Sequence, residues 1–279
     1  MLAWVEAAFR WTHVVAGILW IGHLYFFNFV NAQVVKTYDA ESKKKVVPEL
    51  MPRALYWFRW GALYTWISGI LMAGLVYYSV DNLIDKDVTG TAVIPHLTGV
   101  AIALALIAIV FFVYDAAWRV VSKNERVVVG IQFGLFVVLL FLLSRIFTGR
   151  ALFIHAGMLF GTIMVMNVWM RIWPAQRKII QAAKGVGPAP DPSVPAMAAL
   201  RSKHNTYMSV PLVFTMVANH YPTIYGRDGS WLVLAAILAL GFALTKLLYL
   251  KSAGAAPTLY GAPAPAPPSG TPGVAAPKA

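Results

Sequence analysis

Long runs of apolar residues recur along the chain, and they constrain its fold more than any other feature. A helix needs about 20 apolar residues to cross a hydrocarbon core roughly 30 Å thick. Backbone groups in lipid have no water to bond with, so a spanning stretch is predicted to be helical. Seven stretches meet this requirement: Ala7 to Val30, Trp57 to Val80, Pro95 to Tyr114, Val127 to Phe147, Ala151 to Trp173, Asn205 to Tyr221 and Trp231 to Leu250.

The composition also indicates a membrane protein. Hydrophobic residues make up 59% of the chain and charged residues 12%, and the mean hydropathy is +0.66. A soluble domain of this size carries about 25% charged residues. We therefore predict an all-α, polytopic transmembrane bundle of seven spans over residues 1–252, embedded in a lipid bilayer.

The distribution of charge predicts how the bundle is oriented. Most of the 23 lysines and arginines fall in the first, third and fifth connections and the tail, whereas the second connection, DNLIDKDVTG, is net acidic. The positive-inside rule then places the N-terminus outside and the C-terminus in the cytoplasm. This pattern accounts for the net charge of +12 without a nucleic acid partner. Aromatic pairs such as Tyr56 with Trp57, and Trp169 with Trp173, are expected in an interfacial belt.

Two stretches outside the spans are not expected to fold on their own. Residues 174–204 contain AAKGVGPAPDPSVPAM, which predicts a flexible cytoplasmic loop with at most one helical turn on either side. Residues 253–279 are rich in Pro and Ala, and they bury too little apolar surface to fold. This segment is predicted to be a disordered tail.

Histidines fall at two predicted depths in the bundle. His13, His96, His155 and His220 lie near the outer face, and His23 and His204 form an inner pair. Imidazoles inside a membrane usually face the bundle interior or a cavity. Because neutral imidazole is an axial ligand of haem b, the outer group is a candidate haem site, with copper or another metal as an alternative. His96 and His220 adjoin prolines at helix ends, where they could instead hydrogen-bond lipid headgroups or loop carbonyls.

Other polar residues accompany the outer histidines. Arg10 lies one turn before His13 on nearly the same face, where it could neutralise a haem propionate or an anionic substrate, or extend to the outer surface. Arg145 and Arg150 bracket a short outer turn, so with Arg10 they predict a positive rim above the histidines. Asn219 is an amide buried by its position. The chain has no cysteine, which excludes a c-type haem attached through C-x-x-C-H.

Five runs of the sequence are distinctive when read together. They are RWTHVVAGILWIG, MPRALYWFRWGALYTWISG, VYDAAWR, FTGRALFIHAGMLFGTIMVMNVWMRIWPAQRKII and HNTYMSVPLVFTMVANHYP. These runs resemble the N-terminal membrane domain of the bacterial membrane-bound urate oxidases (urate hydroxylases). The resemblance covers roughly residues 8–250, and it implies a bacterial cytoplasmic (inner) membrane protein that works with a cytochrome c and the respiratory chain.

Positions match the family unevenly. His23 stands where the resemblance implies a small or non-basic residue, and His96 lies outside the matching runs. The resemblance implies eight spans followed by a cytochrome c domain. This sequence instead predicts seven spans, so the last helix of the family pattern is missing, and it contains no C-x-x-C-H. The predicted ligands are His13, His155 and His220, supported by Arg10, Arg150 and Asn219, with His23, His96 and His204 as weaker candidates.

Two functional classes follow. In one, the chain binds haem b and passes electrons to a separate periplasmic cytochrome c or respiratory complex, with urate oxidation as one chemistry that the resemblance implies. In the other, it is a non-catalytic membrane module, an assembly factor or a permease-like domain, with structural histidines. A metal such as copper at the same layer is a variant of the first. The sequence leaves open whether the chain is a catalytic subunit.

Overall fold

The fold is a bundle of long helices. The computed structural model describes residues 2–120 and 124–259, with side chains through residue 254. Within these residues the only β pairing is in isolated bridges, which confirms the predicted all-helical class. The long helices are α1 (Leu2–Thr37), α2 (Ala40–Tyr78), α3 (His96–Val120), α4 (Glu125–Leu143), α5 (Gly149–Ala183), α6 (Ser193–Val217) and α7 (Ser230–Leu259).

Six of these helices, all but α6, have the length and apolar composition needed to cross a membrane, counted over the described residues. The exception has a physical reason, because α6 carries polar side chains on its packed face. Asn205, Thr206, Ser209 and Thr215 are all 0% exposed. These groups face neighbouring helices and not lipid, and small and polar residues are common in such contacts between membrane helices. Helix α6 can therefore be less apolar than the others without exposing polar groups to lipid.

The bundle is built around α5 and α6, which pack against each other at its centre. Small residues allow the outer helices to approach closely. A Cβ atom added at Gly241 of α7 would lie 2.9 Å from Pro211 Cδ of α6, and one at Gly61 of α2 would lie 3.0 Å from the backbone nitrogen of Trp20 in α1. Close contact at small residues is the usual way in which membrane helices pack.

The helices contain π-helical turns at Phe26–Asn31, Gly74–Tyr78 and Val168–Ile172. Such turns occur often at functional sites because they change which side chains face inward. The turn at the end of α2 brings two consecutive tyrosines, Tyr77 and Tyr78, against neighbouring helices. The third turn includes Arg171, which bonds a buried carboxylate described below.

The connection over residues 174–204 is more helical than predicted. Helix α5 continues to Ala183 and α6 begins at Ser193, so only residues 184–192 lie between them. The Pro-rich composition is misleading because Pro174 lies just after the π-helical turn Val168–Ile172, where the regular α-helical bonding is already interrupted. The last helix also runs to Leu259, beyond the predicted start of the tail. The rest of that predicted disordered segment, 260–279, lies outside the described residues.

The link between α2 and α3, residues 79–95, covers the end of the bundle that carries the N-terminus. Ile84 is buried and bridges to Phe147, and the Asp85 backbone N–H donates to the Ile146 carbonyl at 2.8 Å. At its tip, Val88 is fully exposed, and Gly90 has a φ of +81°. We call this end of the bundle the N-terminal end and the opposite one the basic end.

Candidate functional site

A pocket at the N-terminal end lies among α1, α2, α5 and α6. It is a partly open cleft whose mouth faces the outside of the bundle. Small-molecule sites combine mostly apolar walls with a few polar groups. The walls include Trp20, Trp66, Ile70, Met158, Leu212 and Met216, and the polar residues are Arg10, His13, Thr65, Tyr77, Arg150 and Asn219.

His13 lines this pocket, and its hydrogen bonds define its tautomer. Its Nδ1 lies 3.2 Å from Ser68 Oγ, and that hydroxyl donates its one proton to a backbone carbonyl, Tyr64 O at 2.6 Å. Ser68 Oγ therefore accepts from Nδ1–H, and His13 Nε2 keeps the lone pair. Neutral imidazole with a lone-pair nitrogen is the form that binds a metal. Gly69 makes room for the ring, since a Cβ there would lie 3.1 Å from His13 Cε1.

Arg150 is held at the pocket by a side-chain amide. Its Nε donates to Asn219 Oδ1 at 3.1 Å, and the Tyr77 hydroxyl donates to the same oxygen at 3.3 Å. The guanidinium carbon lies 5.9 Å from the centre of the Tyr77 ring. Asn219 thus acts as a shared acceptor that fixes one positive charge beside the pocket.

The predicted positive rim is narrower than expected. Arg10 lines the pocket, but it also pairs with Glu6 one turn earlier, where its Nε donates to Glu6 Oε1 at 3.0 Å. Arg145 does not line the pocket, and its guanidinium carbon lies 4.8 Å from the Phe141 ring. The rim therefore consists of Arg150 and a partly neutralised Arg10.

His155 lies in the packed interior beside the pocket, not on its wall. The residue is 3% exposed, and its ring contacts Tyr77 and Phe147. Its Nδ1 lies 2.7 Å from the Ala151 carbonyl, which only accepts, so Nδ1 carries the proton. Its Nε2 therefore accepts from the Tyr78 hydroxyl at 3.0 Å. Because both nitrogens are engaged, His155 can bind a metal only if the bond to Tyr78 breaks.

His220 is exposed, and it lies in the short 3-10 turn Ala218–His220 rather than on the pocket wall. The described residues contain no group of three or more His, Cys, Asp or Glu side chains placed to hold one metal ion. The structure therefore does not assemble the predicted site of His13, His155 and His220 in that part of the chain. Of the three, only His13 lines the pocket.

Two of the weaker candidates bond to backbone carbonyls. His96 Nε2 donates to the Tyr78 carbonyl at 3.0 Å, as the alternative of a local interface residue predicts. Its Nδ1 is buried without a hydrogen-bond partner in the described structure. His23 Nδ1 donates to the Leu19 carbonyl one turn earlier at 2.7 Å. Neither residue lines the pocket.

His204, the third weaker candidate, belongs to a polar junction at the basic end. Its Nδ1 lies 2.6 Å from the Tyr114 hydroxyl, and its ring lies 4.1 Å from that of Trp118. Asn167 donates to the same hydroxyl at 3.2 Å and to Asn205 Oδ1 at 2.9 Å. The junction connects α3, α5 and α6, so His204 has a packing role.

A buried carboxylate lies next to this junction. Asp115 is 1% exposed and pairs with three arginines. Arg171 Nε lies 3.0 Å from Oδ1, Arg201 Nη2 lies 2.8 Å from Oδ1, and Arg119 Nη2 lies 2.9 Å from Oδ2. Arg119 is four positions from Asp115, but Arg171 and Arg201 are 56 and 86 positions away. No local spacing reveals those two partners.

Sequence reasoning also missed the residues that orient the histidines. Ser68 and Tyr78 each bond a histidine of another helix, and Tyr77 shares the Asn219 oxygen with Arg150. The consecutive tyrosines at the end of the second span were the available signal, because polar rings near a membrane interface need hydrogen-bond partners.

Comparison with known families gives one match. The family model described as "Urate oxidase N-terminal" matches residues 1–45 and 37–264, which includes every residue of the pocket. Comparison with curated proteins and with solved structures gives no match. The family match extends over nearly the whole chain and confirms the resemblance noted in the sequence: the chain belongs to the urate oxidase N-terminal family.

Proposed function

We propose that this chain is a membrane subunit of a redox system, which binds haem b non-covalently in the pocket and passes electrons to a separate cytochrome c or respiratory partner. The observation that carries the proposal is the position of His13. His13 lines a pocket with aromatic and aliphatic sides and an arginine-bearing rim, and its bond to Ser68 through Nδ1 leaves the lone pair on Nε2. Membership of the urate oxidase N-terminal family supports a redox role.

The donor side chains of the pocket are of the kinds that such a group would use. His13 would hold the iron, and Arg150 and Arg10 would neutralise the propionates. Trp20 Nε1 is buried without a hydrogen-bond partner in the described structure, although its residue lines the pocket. An unpaired buried donor costs roughly 1–3 kcal/mol, so a bound acceptor would relieve that cost. No second imidazole lines the pocket, and the proposal therefore has no bis-histidine clamp.

Haem in this position would supply one-electron chemistry, and the chain's own residues would control it. Ser68 fixes the His13 tautomer, and Asn219 holds the Arg150 charge in place. The aromatic and aliphatic walls exclude water, which strengthens electrostatic interactions inside the pocket.

A copper ion is a second candidate, which a different feature of the pocket favours. Met72, Met158 and Met216 line the same pocket as His13. Thioether and imidazole ligands together suit Cu(I). Metal analysis distinguishes this candidate from haem.

The proposal includes the membrane topology. We place seven crossings in a bacterial inner membrane, with the N-terminus outside and the C-terminus in the cytoplasm. Helix α6 has 25 residues and is about 37 Å long, longer than the roughly 30 Å core. Its packed polar face and the basic connections support a crossing at this position. The pocket would then open on the outer side, where a periplasmic cytochrome c is accessible.

The visible spectrum of the purified protein tests this function. The chain is expressed with haem available, purified in mild detergent, and examined by reduced-minus-oxidised spectra and metal analysis. We expect a b-type difference spectrum with about one haem per chain, the stoichiometry of a single pocket. A copper-containing protein without haem selects the metal variant, and a colourless, metal-free protein contradicts both.

A non-catalytic membrane module remains the alternative function. His96, His155 and His204 each hydrogen-bond a protein group, as structural histidines do. This alternative predicts a colourless protein that is stable without any cofactor.

A further inference from the structure

The basic end contains an arginine, Arg59, that lacks, among the described residues, the carboxylate partner which several other basic residues of this end have. Arg53 pairs with Glu49, Lys203 with Glu125, and the three arginines described above with Asp115. Arg59, by contrast, has no carboxylate within ion-pair distance in the described part of the chain. Its Nε is buried there without a hydrogen-bond partner.

Arg59 is fixed in place by aromatic side chains. Its guanidinium carbon lies 3.9 Å from the Trp173 ring centre and 5.6 Å from that of Tyr56. Its backbone carbonyl accepts a bond from Trp169 Nε1 at 3.2 Å, and Trp169 packs edge-on against Trp60 at 5.4 Å. Trp and Tyr residues concentrate at the level of lipid headgroups, so this charge lies at headgroup depth.

A second positive charge acts on the first. Arg177 lies one helical turn after Trp173 on the same face of α5, the face that Arg59 contacts, and its side chain is exposed. Two like charges on facing helices repel each other, and water and salt screen part of this repulsion because Arg177 is exposed. The nearest acidic side chain in the sequence, Glu49, is already paired with Arg53. Neither arginine has a carboxylate within ion-pair distance among the described residues, so an anion from outside the chain can bind there.

The surroundings indicate which anion this is. Guanidinium groups bind phosphate through two parallel hydrogen bonds, and basic pockets between membrane helices bind lipid headgroups. Along α2, the exposed side chains of Tyr64, Ile67 and Leu71 continue at helical spacing from Trp60, the residue next to Arg59, toward the membrane centre. This apolar stripe is suited to an acyl chain.

We propose that Arg59 and Arg177, beside Trp173, bind the phosphate of an anionic phospholipid in the leaflet at the basic end. The site is separate from the pocket of His13, and it does not depend on haem or copper binding. A free phosphate ion offers the same phosphate chemistry, but it lacks the acyl chain that the α2 stripe would contact.

Lipid retention measured by native mass spectrometry tests the proposal. Full-length protein in detergent is titrated with phosphatidylglycerol and, separately, with phosphatidylcholine. One arginine near an anionic surface contributes about 1 kcal/mol, so we expect Arg59→Gln to reduce phosphatidylglycerol retention roughly five-fold. Arg53→Gln removes the same charge from the same helix, six positions earlier, and should retain wild-type binding because Arg53 is exposed and paired with Glu49.

Two further arms keep the test decisive. If Arg59→Gln does not fold, Arg177→Gln replaces it, since its exposed side chain can be changed without disturbing the packed interior. Inorganic phosphate is titrated in the same assay. Equal losses in the Arg53 and test variants would overturn the proposal, as would unaltered retention in the test variant. Binding of inorganic phosphate without preference for phosphatidylglycerol would identify a free ion and overturn the lipid site.

Discussion

At the scale of single residues, the histidines differ in what occupies their second nitrogen. Hydropathy and topology placed His13 and His155 at the same depth. They did not show that both ring nitrogens of His155 are hydrogen-bonded, whereas only Nδ1 of His13 has a bond described above. The distinguishing partners, Ser68 and Tyr78, lie 55 and 77 positions from their histidines. Such pairings depend on how helices pack, so one sequence read alone cannot reveal them.

The bond between Tyr78 and His155 predicts a loss of stability when it is removed. Tyr78→Phe leaves His155 Nε2 buried without its donor, which costs about 1–3 kcal/mol. We expect a lower midpoint of thermal unfolding in detergent. Tyr64→Phe on the same helix is the control, because its side chain is more than half exposed. Equal midpoints for the two variants would show that this bond does not stabilise the bundle.

At the scale of helices, the sequence predicted most of the bundle correctly. The predicted span Val127 to Phe147 corresponds to α4, Glu125–Leu143, and apolar length alone was sufficient. The π-helical turns were not predicted, since an i→i+5 bond leaves no clear sequence pattern. The helical part of 174–204 was missed because both of its prolines occupy positions compatible with a helix. Pro174 follows the π-helical turn of α5, and Pro195 lies in the first turn of α6.

Asp115 connects three helices through its arginines and should be sensitive to substitution. Asp115→Ala leaves Arg171 and Arg201 without their shared anion, and an uncompensated buried charge costs roughly 3–5 kcal/mol. We expect a marked loss of monodisperse protein in size-exclusion chromatography and a lower unfolding midpoint. In Glu125→Ala, an exposed pair with Lys203 at 3.6 Å is removed, which costs at most about 1 kcal/mol. Comparable losses in both variants would contradict the structural role of Asp115.

At the scale of the whole molecule, the two ends have different chemistry. The N-terminal end contains the pocket of His13, and the basic end contains Asp115 with its arginines and the Arg59 cluster. The distribution of charged residues in the sequence predicted that the two ends would differ. It could not predict which polar residues converge, since the pocket draws on four helices.

The proposed orientation can be measured with single cysteines, because the natural chain has none. Val88→Cys lies at the fully exposed tip of the link 79–95, and Val186→Cys lies exposed in the link 184–192. A membrane-impermeant maleimide applied to the outer face should label the first directly and the second only after permeabilisation. The reverse pattern would invert the topology, and labelling of both without permeabilisation would contradict an odd number of crossings between them.

The haem content of the His13→Ala variant tests the central claim most directly. Wild type and variant are expressed with haem available, purified in parallel and compared by reduced-minus-oxidised spectra at equal protein concentration. We expect His13→Ala to lose the b-type signal, whereas His23→Ala, on the same helix with its Nδ1 bonded to the Leu19 carbonyl, keeps it. A wild-type signal that persists unchanged in His13→Ala would contradict the assignment of this pocket.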